Sequence, residues 1–423
     1  MNQLSFHPFN ILFFRNLDNF SKTNIIKGFI GSLFSSLFIY LDFFGLENKL
    51  LFSIFALIAI YLFLSLDRKS IFWYGFFVGI LWFWWISISF IYYELVYLIP
   101  FVVLFFGVFY GISFYFLTLL DRWNLRFLAM FLFSFFEPFG FNWFKIELLF
   151  INSYFYADKI TLLLILVTIS LIVYFKSRLK PIYLILFLIP LIFVLDLENK
   201  KTTLPDINVY LTQMDIPQDL KWQQEYQAEL IQKNLEVIHK AIEQKDKLIV
   251  LPEATFAFAL NLHHDLMDTL KRLSIEIDII TGGMYYDGEI YNNSTYFFSK
   301  ETVQIANKVV LVPFGEAIPL PKFFVDLIND IFFNGATDFV PASKPTDFMI
   351  QGVKFRNAIC YEATKDEIYE DNPPFVVAIS NNAWFTPSTQ PTMQKLLMKY
   401  YAKKHNSVIY SVANGSESLI ITP

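Results

Sequence analysis

Hydrophobic positions in the first half of the chain come in long, nearly unbroken runs. Crossing roughly 30 Å of hydrocarbon takes about 17–25 helical residues. Runs near that length lie at Ile25–Phe44, Leu50–Leu66, Ile71–Tyr92, Val96–Leu120, Leu125–Trp143, Ile160–Phe175 and Ile182–Leu195. The pattern therefore predicts seven membrane-spanning helices. The fifth is the weakest, because Glu137-Pro138 interrupts it: proline removes a helix hydrogen bond, and glutamate is costly in lipid. Glu137 either lines a substrate cleft or sits where the helix leaves the membrane.

Beyond Leu197 the runs shorten and polar residues break them up. Ile207–Leu211 reads as a strand, and a helix from about Gln223 to Gln244 carries an apolar stripe of Tyr226, Leu230, Leu235, Ile238 and Ile242. Leu248–Leu251 is a short strand ending at Pro252-Glu253, Leu262 to Leu273 a second amphipathic helix, and Ile277–Thr281 a strand. Further strands are expected at Ser294–Phe298, Val309–Val312, Phe355–Cys360 and Val376–Ser380. Alternating strands and helices predict an α/β domain, in which sites gather where strands end. Pro319–Phe339 holds more apolar surface than a loop between strands should expose, and reads either as a lid or membrane-dipping arm, or as a core helix.

Composition sharpens the division. Only 17% of the residues are charged and 55% are hydrophobic, against roughly 25% charged in soluble domains. The excess lies in the first half, so residues 1–200 are expected in lipid and 201–423 in water. Arg15, Lys22 and Lys27, then Arg68 and Lys69, then Arg122 and Arg126, then Lys176, Arg178 and Lys180 occupy one alternating set of connections. These should be cytoplasmic by the positive-inside rule. An odd number of spans then puts the N-terminus inside and the C-terminal domain outside. No removable signal peptide is expected, because the first span starts well inside the chain without a small-residue cleavage pattern. A net charge of −5 without any basic block excludes a nucleic-acid partner.

Candidate chemistry sits at predicted strand ends: Glu253 in Leu-Pro-Glu-Ala, Lys308 in Asn-Lys-Val-Val-Leu-Val-Pro-Phe-Gly-Glu, and Cys360, the single cysteine, in Ile-Cys-Tyr-Glu. Taken singly, each has a plain reading: a solvated loop charge, a solvent-facing lysine and an inert buried thiol. Taken together they supply a base, a positive group and a nucleophile, which is what acyl transfer through a thioester needs. On this reading Lys308 favours the thiolate, Glu253 takes its proton, and Lys308 with the backbone N–H of Tyr361 stabilises the oxyanion. No metal, nucleotide or other cofactor is required.

The ordered Glu–Lys–Cys set resembles the nitrilase, or carbon–nitrogen hydrolase, superfamily. The Pro-Phe-Gly-Glu and Cys-Tyr-Glu versions, Ile216-Pro217-Gln218 leading to Lys221-Trp222, Ser380-Asn381-Asn382-Ala383-Trp384-Phe385 and the membrane half resemble the apolipoprotein N-acyltransferase family. The resemblance implies an αββα catalytic domain on the periplasmic face of a bacterial inner membrane. It also implies a ping-pong cycle: a phospholipid, typically phosphatidylethanolamine, acylates Cys360, and the acyl group passes to the N-terminal amine of a diacylated apolipoprotein. Exchanging an ester for an amide runs downhill, in keeping with the lack of a phosphate-binding glycine-rich loop. The resemblance further marks Glu316 and Glu362 as supporting carboxylates, Tyr361 as the neighbour of the thiol and Trp222 as part of the substrate region. Their plain readings are surface charge, cap and core aromatic.

Three features depart from the family pattern. The sequence given ends at Ile420-Ile421-Thr422-Pro423, where the family continues into a last membrane helix; Thr386 stands where glycine is common; and Asn414-Gly415-Ser416-Glu417-Ser418 is an altered turn. A natural short form, truncation or reduced activity would each account for them. Competing functions are a membrane-tethered amidohydrolase, which would carry the same triad, and a catalytically silent scaffold or transporter.

Overall fold

A computed structural model describes residues 21–197, 202–323, 325 and 339–423. Its first part is a helical bundle of α1 (Lys22–Phe43), α2 (Lys49–Ser65), α3 (Arg68–Phe83), α4 (Ile99–Leu117), α5 (Arg126–Phe133), α6 (Lys159–Phe175) and α7 (Pro181–Leu184). A 3-10 stretch, Trp84–Tyr93, prolongs α3, and another, Ile185–Val194, prolongs α7. Asn48, Asp67 and Asp158 cap α2, α3 and α6 by accepting from backbone N–H groups of the first turn. Between α3 and α4, Gly75 and Gly79 permit close approach: a Cβ at Gly79 would lie 2.2 Å from the Phe106 carbonyl oxygen.

Among the described residues, the helical stretches long and apolar enough to cross a membrane are Lys22–Phe43, Arg68–Tyr93 and Val96–Trp123; Lys49–Ser65, Lys159–Phe175 and Pro181–Val194 are shorter apolar helices. The expected fifth span departs most. Helix α5 stops at Phe133, and Asn142–Ile151 runs as buried irregular backbone and 3-10 turns. Irregular backbone is tolerated at membrane depth only where protein surrounds it. Here Asn142 and Trp143 bond to the second domain instead of continuing a helix. Glu137 pairs with Lys145 at 3.0 Å in the turn that follows α5.

The second part is an α/β sandwich. Its strands are β1 (Val209–Leu211), β2 (Leu248–Val250), β3 (Phe256–Ala259), β4 (Asp278–Tyr286), β5 (Tyr291–Ser299), β6 (Thr302–Asn307), β7 (Asp347–Ile350), β8 (Val353–Ile359), β9 (Phe375–Asn381), β10 (Val408–Asn414) and β11 (Leu419–Ile421). One sheet runs β1-β2-β4-β5-β6, with β3 beside β4, and the other β11-β10-β9-β8-β7. Strand alternation explains the layers. Leu248 and Val250 face the other sheet, meeting Ile359, Val377 and Val412, whereas Ile249 and Leu251 face the helix layer. That layer is α9 (Gln227–Glu243) and α10 (His264–Leu273), preceded by the short α8 (Gln218–Lys221). The far side of the second sheet packs on α11 (Gln390–His405), whose Met393, Leu396 and Leu397 share one core with the membrane bundle. The two domains are thus continuous through α11.

Val309–Val312, expected as a strand, is a turn, and β6 lies just before it. The N–H groups of Val309 and Val310 bond to the Glu362 carboxylate and that of Val312 to Glu316, so no ladder is left to form. Of the apolar segment Pro319–Phe339, residues 324 and 326–338 lie outside the described residues, and with them the expected lid.

Candidate active site

Strands β2, β6, β8, β9 and β10 bring their carboxyl ends to one edge of the sandwich, and chemistry-bearing residues follow directly from them. Glu253 comes two residues after Leu251, Lys308 follows β6, and Cys360 follows β8. Cys360 turns out of the strand with φ +55°, and the 3-10 turn Cys360–Thr364 begins there. A non-glycine residue in that region stores about 1–3 kcal/mol, a kind of strain that concentrates at functional sites. Ala254, at φ +50°, makes a similar turn after Glu253. Gly282 makes room for it: a Cβ there would lie 2.6 Å from both the Glu253 Cα and the Ala254 nitrogen.

The three sequence-selected residues come together. Lys308, 2% exposed, has its Nζ 3.9 Å from Glu253 Oε1 and 2.8 Å from Glu316 Oε1. Asn293 Nδ2 donates to both carboxylates, at 2.8 Å and 3.2 Å. The Asn381 N–H donates to Glu253 Oε2 at 2.8 Å and also interacts with the Cys360 thiol. Gln394 from α11 approaches the sulfur with its Nε2 at 3.9 Å and bonds Ser380 at 3.2 Å. Burial lowers the affinity of Lys308 for its proton, but the surrounding Glu316, Glu253 and Cys360 outweigh that and hold it above the ordinary lysine range. It is a fixed cation.

The thiol behaves differently from the expectation that Lys308 makes it a ready thiolate. Burial, then the Glu253 carboxylate, push the Cys360 pKa above the ordinary thiol range, and the opposing pull of Lys308 is smaller. Cys360 is thus held toward its protonated form beside the Glu253 carboxylate, while part of its surface stays open.

Glu362 is 1% exposed and takes no part at the surface. Its Oε1 accepts from Val309 and Val310 N–H and its Oε2 from Ile359 N–H at 2.6 Å, tying the Lys308 loop to the Cys360 turn. Burial pushes its pKa up to about 7 from an ordinary 4.5, against the pull of Lys308 and those N–H groups. The native chain then holds this proton more tightly than the unfolded one, so its contribution to stability is full below 4.5 and is lost as pH rises to about 7. Replacing Glu362 by Gln turns an amide N–H₂ toward the Ile359 N–H and should cost about 1–3 kcal/mol. Melting curves at pH 5 and pH 7 should show the larger deficit at pH 5.

The Tyr361 side chain faces the membrane domain, and Trp222 is largely open to solvent. The Tyr361 ring stacks on Phe141 at 6.3 Å, and its hydroxyl donates to the Gly140 carbonyl at 3.0 Å, so the residue after Cys360 is anchored in the membrane domain. Asn142 Nδ2 bonds the Thr364 carbonyl, and Trp143 Nε1 the Thr364 hydroxyl at 2.9 Å. Trp222 is 48% exposed, at the end of α8. In the altered turn, Asn414 joins Asn381 Oδ1 at 3.0 Å, and Ser416 accepts from Asn382 at 2.9 Å.

Asn293 and Gln394, which stand around Glu253, Lys308 and Cys360, escaped sequence reasoning, and Lys221 and Asn381 entered it only as parts of motifs, with no role. The signal for Asn293 and Asn381 was present, since both are amides at the ends of apolar strands; α11, which carries Gln394, was not anticipated at all. Among the described residues no group of three or more His, Cys, Asp or Glu side chains could hold a metal ion.

Two families match the chain by description: "Apolipoprotein N-acyltransferase integral membrane domain" over residues 22–196 and "Carbon-nitrogen hydrolase" over residues 211–423. An apolipoprotein N-acyltransferase of Wolinella succinogenes is 45% identical over 396 residues, covering 93% of this chain and 94% of that protein. One of Campylobacter jejuni is 38% identical over 407 residues, covering 94% and 90%. One of Helicobacter pylori is 36% identical over 392 residues, covering 90% and 91%. With its helical membrane part, its α/β sandwich and relatives of this identity along nearly its whole length, the chain belongs to the apolipoprotein N-acyltransferase family.

Proposed function

We propose that the protein N-acylates diacylated apolipoproteins with an acyl chain taken from a membrane phospholipid, phosphatidylethanolamine being the expected donor. Cys360 Sγ attacks the ester carbonyl while Glu253 takes the thiol proton. The C–O bond then breaks, the proton passes from Glu253 to the leaving alkoxide, and a lysophospholipid departs from the acyl thioester. In the second half-reaction the apolipoprotein amine attacks the thioester carbonyl, Glu253 accepts its proton, and the departing sulfur takes that proton back. In both tetrahedral intermediates Lys308 and the Tyr361 backbone N–H face the oxyanion, a donor of this kind being worth roughly 10²–10³ in turnover.

The observation that carries this reading is a thiol on a strained turn, gathered with the Glu253 carboxylate and the Lys308 ammonium where the sandwich meets the membrane bundle. Contacts of the bundle support an orientation as well. Arg126 bonds the carbonyls of Phe63 and Leu66, Lys27 pairs with Asp67, and Lys176 reaches Tyr61, so the basic connections gather at one end of the bundle. The sandwich meets the opposite end, through Tyr92 to the Ala383 carbonyl at 3.1 Å and Lys395 to Asp42 at 2.5 Å. Basic connections belong to the cytoplasmic side, which supports a periplasmic catalytic domain in the inner membrane. Purified protein with labelled phosphatidylethanolamine and a diacylated lipopeptide should yield triacylated peptide. Free fatty acid with unchanged peptide would instead establish a hydrolase, and no turnover a scaffold.

A further inference from the structure

Lys221 is buried to 1% exposure beside the triad, and no step above uses it. Its Nζ donates to the backbone carbonyl of Glu253 at 3.2 Å. Among the described residues it forms no ion pair within 4 Å of a carboxylate oxygen. Taking an ammonium out of water costs several kcal/mol unless something compensates it, so the position calls for a reason. Its neighbours supply one. Gln218, three residues earlier on the same short helix and equally buried, accepts from Asn381 Nδ2 at 2.7 Å. The Asn381 backbone N–H in turn holds Glu253 Oε2. Helix α8 therefore grips Glu253 at both ends: its main chain through Lys221, and its carboxylate through Gln218 and Asn381.

We propose that Lys221 is a positioning residue for the base, clamping the strained Glu253–Ala254 turn and adding a second positive charge beside the carboxylate. This rests on Glu253 being the base of the proposed reaction. Burial lowers the Lys221 pKa to about 8, with Glu253 pulling the other way, so the side chain is mainly charged at neutral pH. The charged and titratable groups around Glu253 are Lys308 after β6, Glu316 and Cys360 from the neighbouring turns, and Lys221 itself. With Lys308 drawn 2.8 Å from Glu316, Lys221 is the cation left to Glu253 on its main-chain side.

The test uses the full-length protein in detergent and follows single-turnover acylation of Cys360 by phosphatidylethanolamine with a fluorescent acyl chain. Rates are measured from about pH 5 to about pH 8.5 for wild type, Lys221→Met, Lys221→Gln and Lys221→Arg. Gln keeps a donor for the carbonyl without the charge, and remains informative where Met unfolds. Loss of one neighbouring cation makes protonation of the base easier, so Met and Gln should move the acid limb of the rate up by about one pH unit, a tenfold loss on that limb. The loss should shrink toward the alkaline end, and Arg should restore the wild-type profile. A loss equal at every pH, or none, in the folded Met or Gln variant overturns the proposal, as does an Arg variant no better than Gln. A wild type that forms no adduct at any pH, or an adduct that survives Cys360→Ala, refutes the reading of the reaction itself.

Discussion

Cys360→Ala should form no acyl adduct and transfer no acyl group, while folding as the wild type does. The adduct is read as label bound to protein and released by hydroxylamine, which cleaves thioesters. The expectation has two supports. Cys360 is the only thiol in the chain, so no second sulfur can take its place. Its surroundings suit a leaving and returning proton: the Glu253 carboxylate and the Asn381 N–H lie close to it, and Gln394 approaches it from α11. Alanine at a position that is already strained and partly open removes one sulfur without creating a buried orphan, so stability should change by less than about 1 kcal/mol. A hydroxylamine-sensitive adduct persisting in the alanine variant would place the nucleophile elsewhere.

The second large effect is expected at Glu253. Because burial and the carboxylate hold the thiol above its ordinary pKa, thiolate is scarce at neutral pH, and the proton must leave as the sulfur attacks. A group that takes it in the transition state contributes typically 10²–10⁴. Glu253→Gln keeps the size and one oxygen for Asn293 or Asn381 but cannot accept that proton, so the acylation rate should fall by roughly 10²–10⁴. The same factor should appear in both half-reactions, since one carboxylate serves each. Rapid-quench measurement of adduct formation, followed by its discharge to a lipopeptide amine, separates the two. An unchanged acylation rate would remove Glu253 from the role of base and leave it a structural partner of Lys308.

The chain's own pattern carried far into this picture. Long apolar runs followed by short alternating ones separated a membrane part from an α/β part, because burial in lipid and burial in a sheet leave different periods. Strand ends marked by Glu253 and Cys360 were legible for a related reason: apolar strands stop where polar residues begin, and sites of such sheets lie there; the strand that leads to Lys308 was not predicted. Where several demands fell on one segment, the pattern misled. Val309–Val312 is as apolar as a strand, yet its N–H groups are taken by two carboxylates from elsewhere in the chain. Leu125–Trp143 is as apolar as a span, yet its end is drawn into hydrogen bonds with the turn after Cys360.

Residue order along the chain thus determined which half meets lipid, many of the helices and strands, and which side chains are chemically able to react, since these depend on local periodicity and residue type. Three-dimensional packing alone decided that burial raises the pKa of the thiol, that Glu362 binds backbone N–H groups, that Tyr361 is anchored in the membrane part, and that Lys221 and Gln218 reach Glu253 and its partner Asn381. Those properties come from desolvation and from hydrogen bonds between residues far apart in sequence, and neither exists until the sheets and the bundle have closed around them.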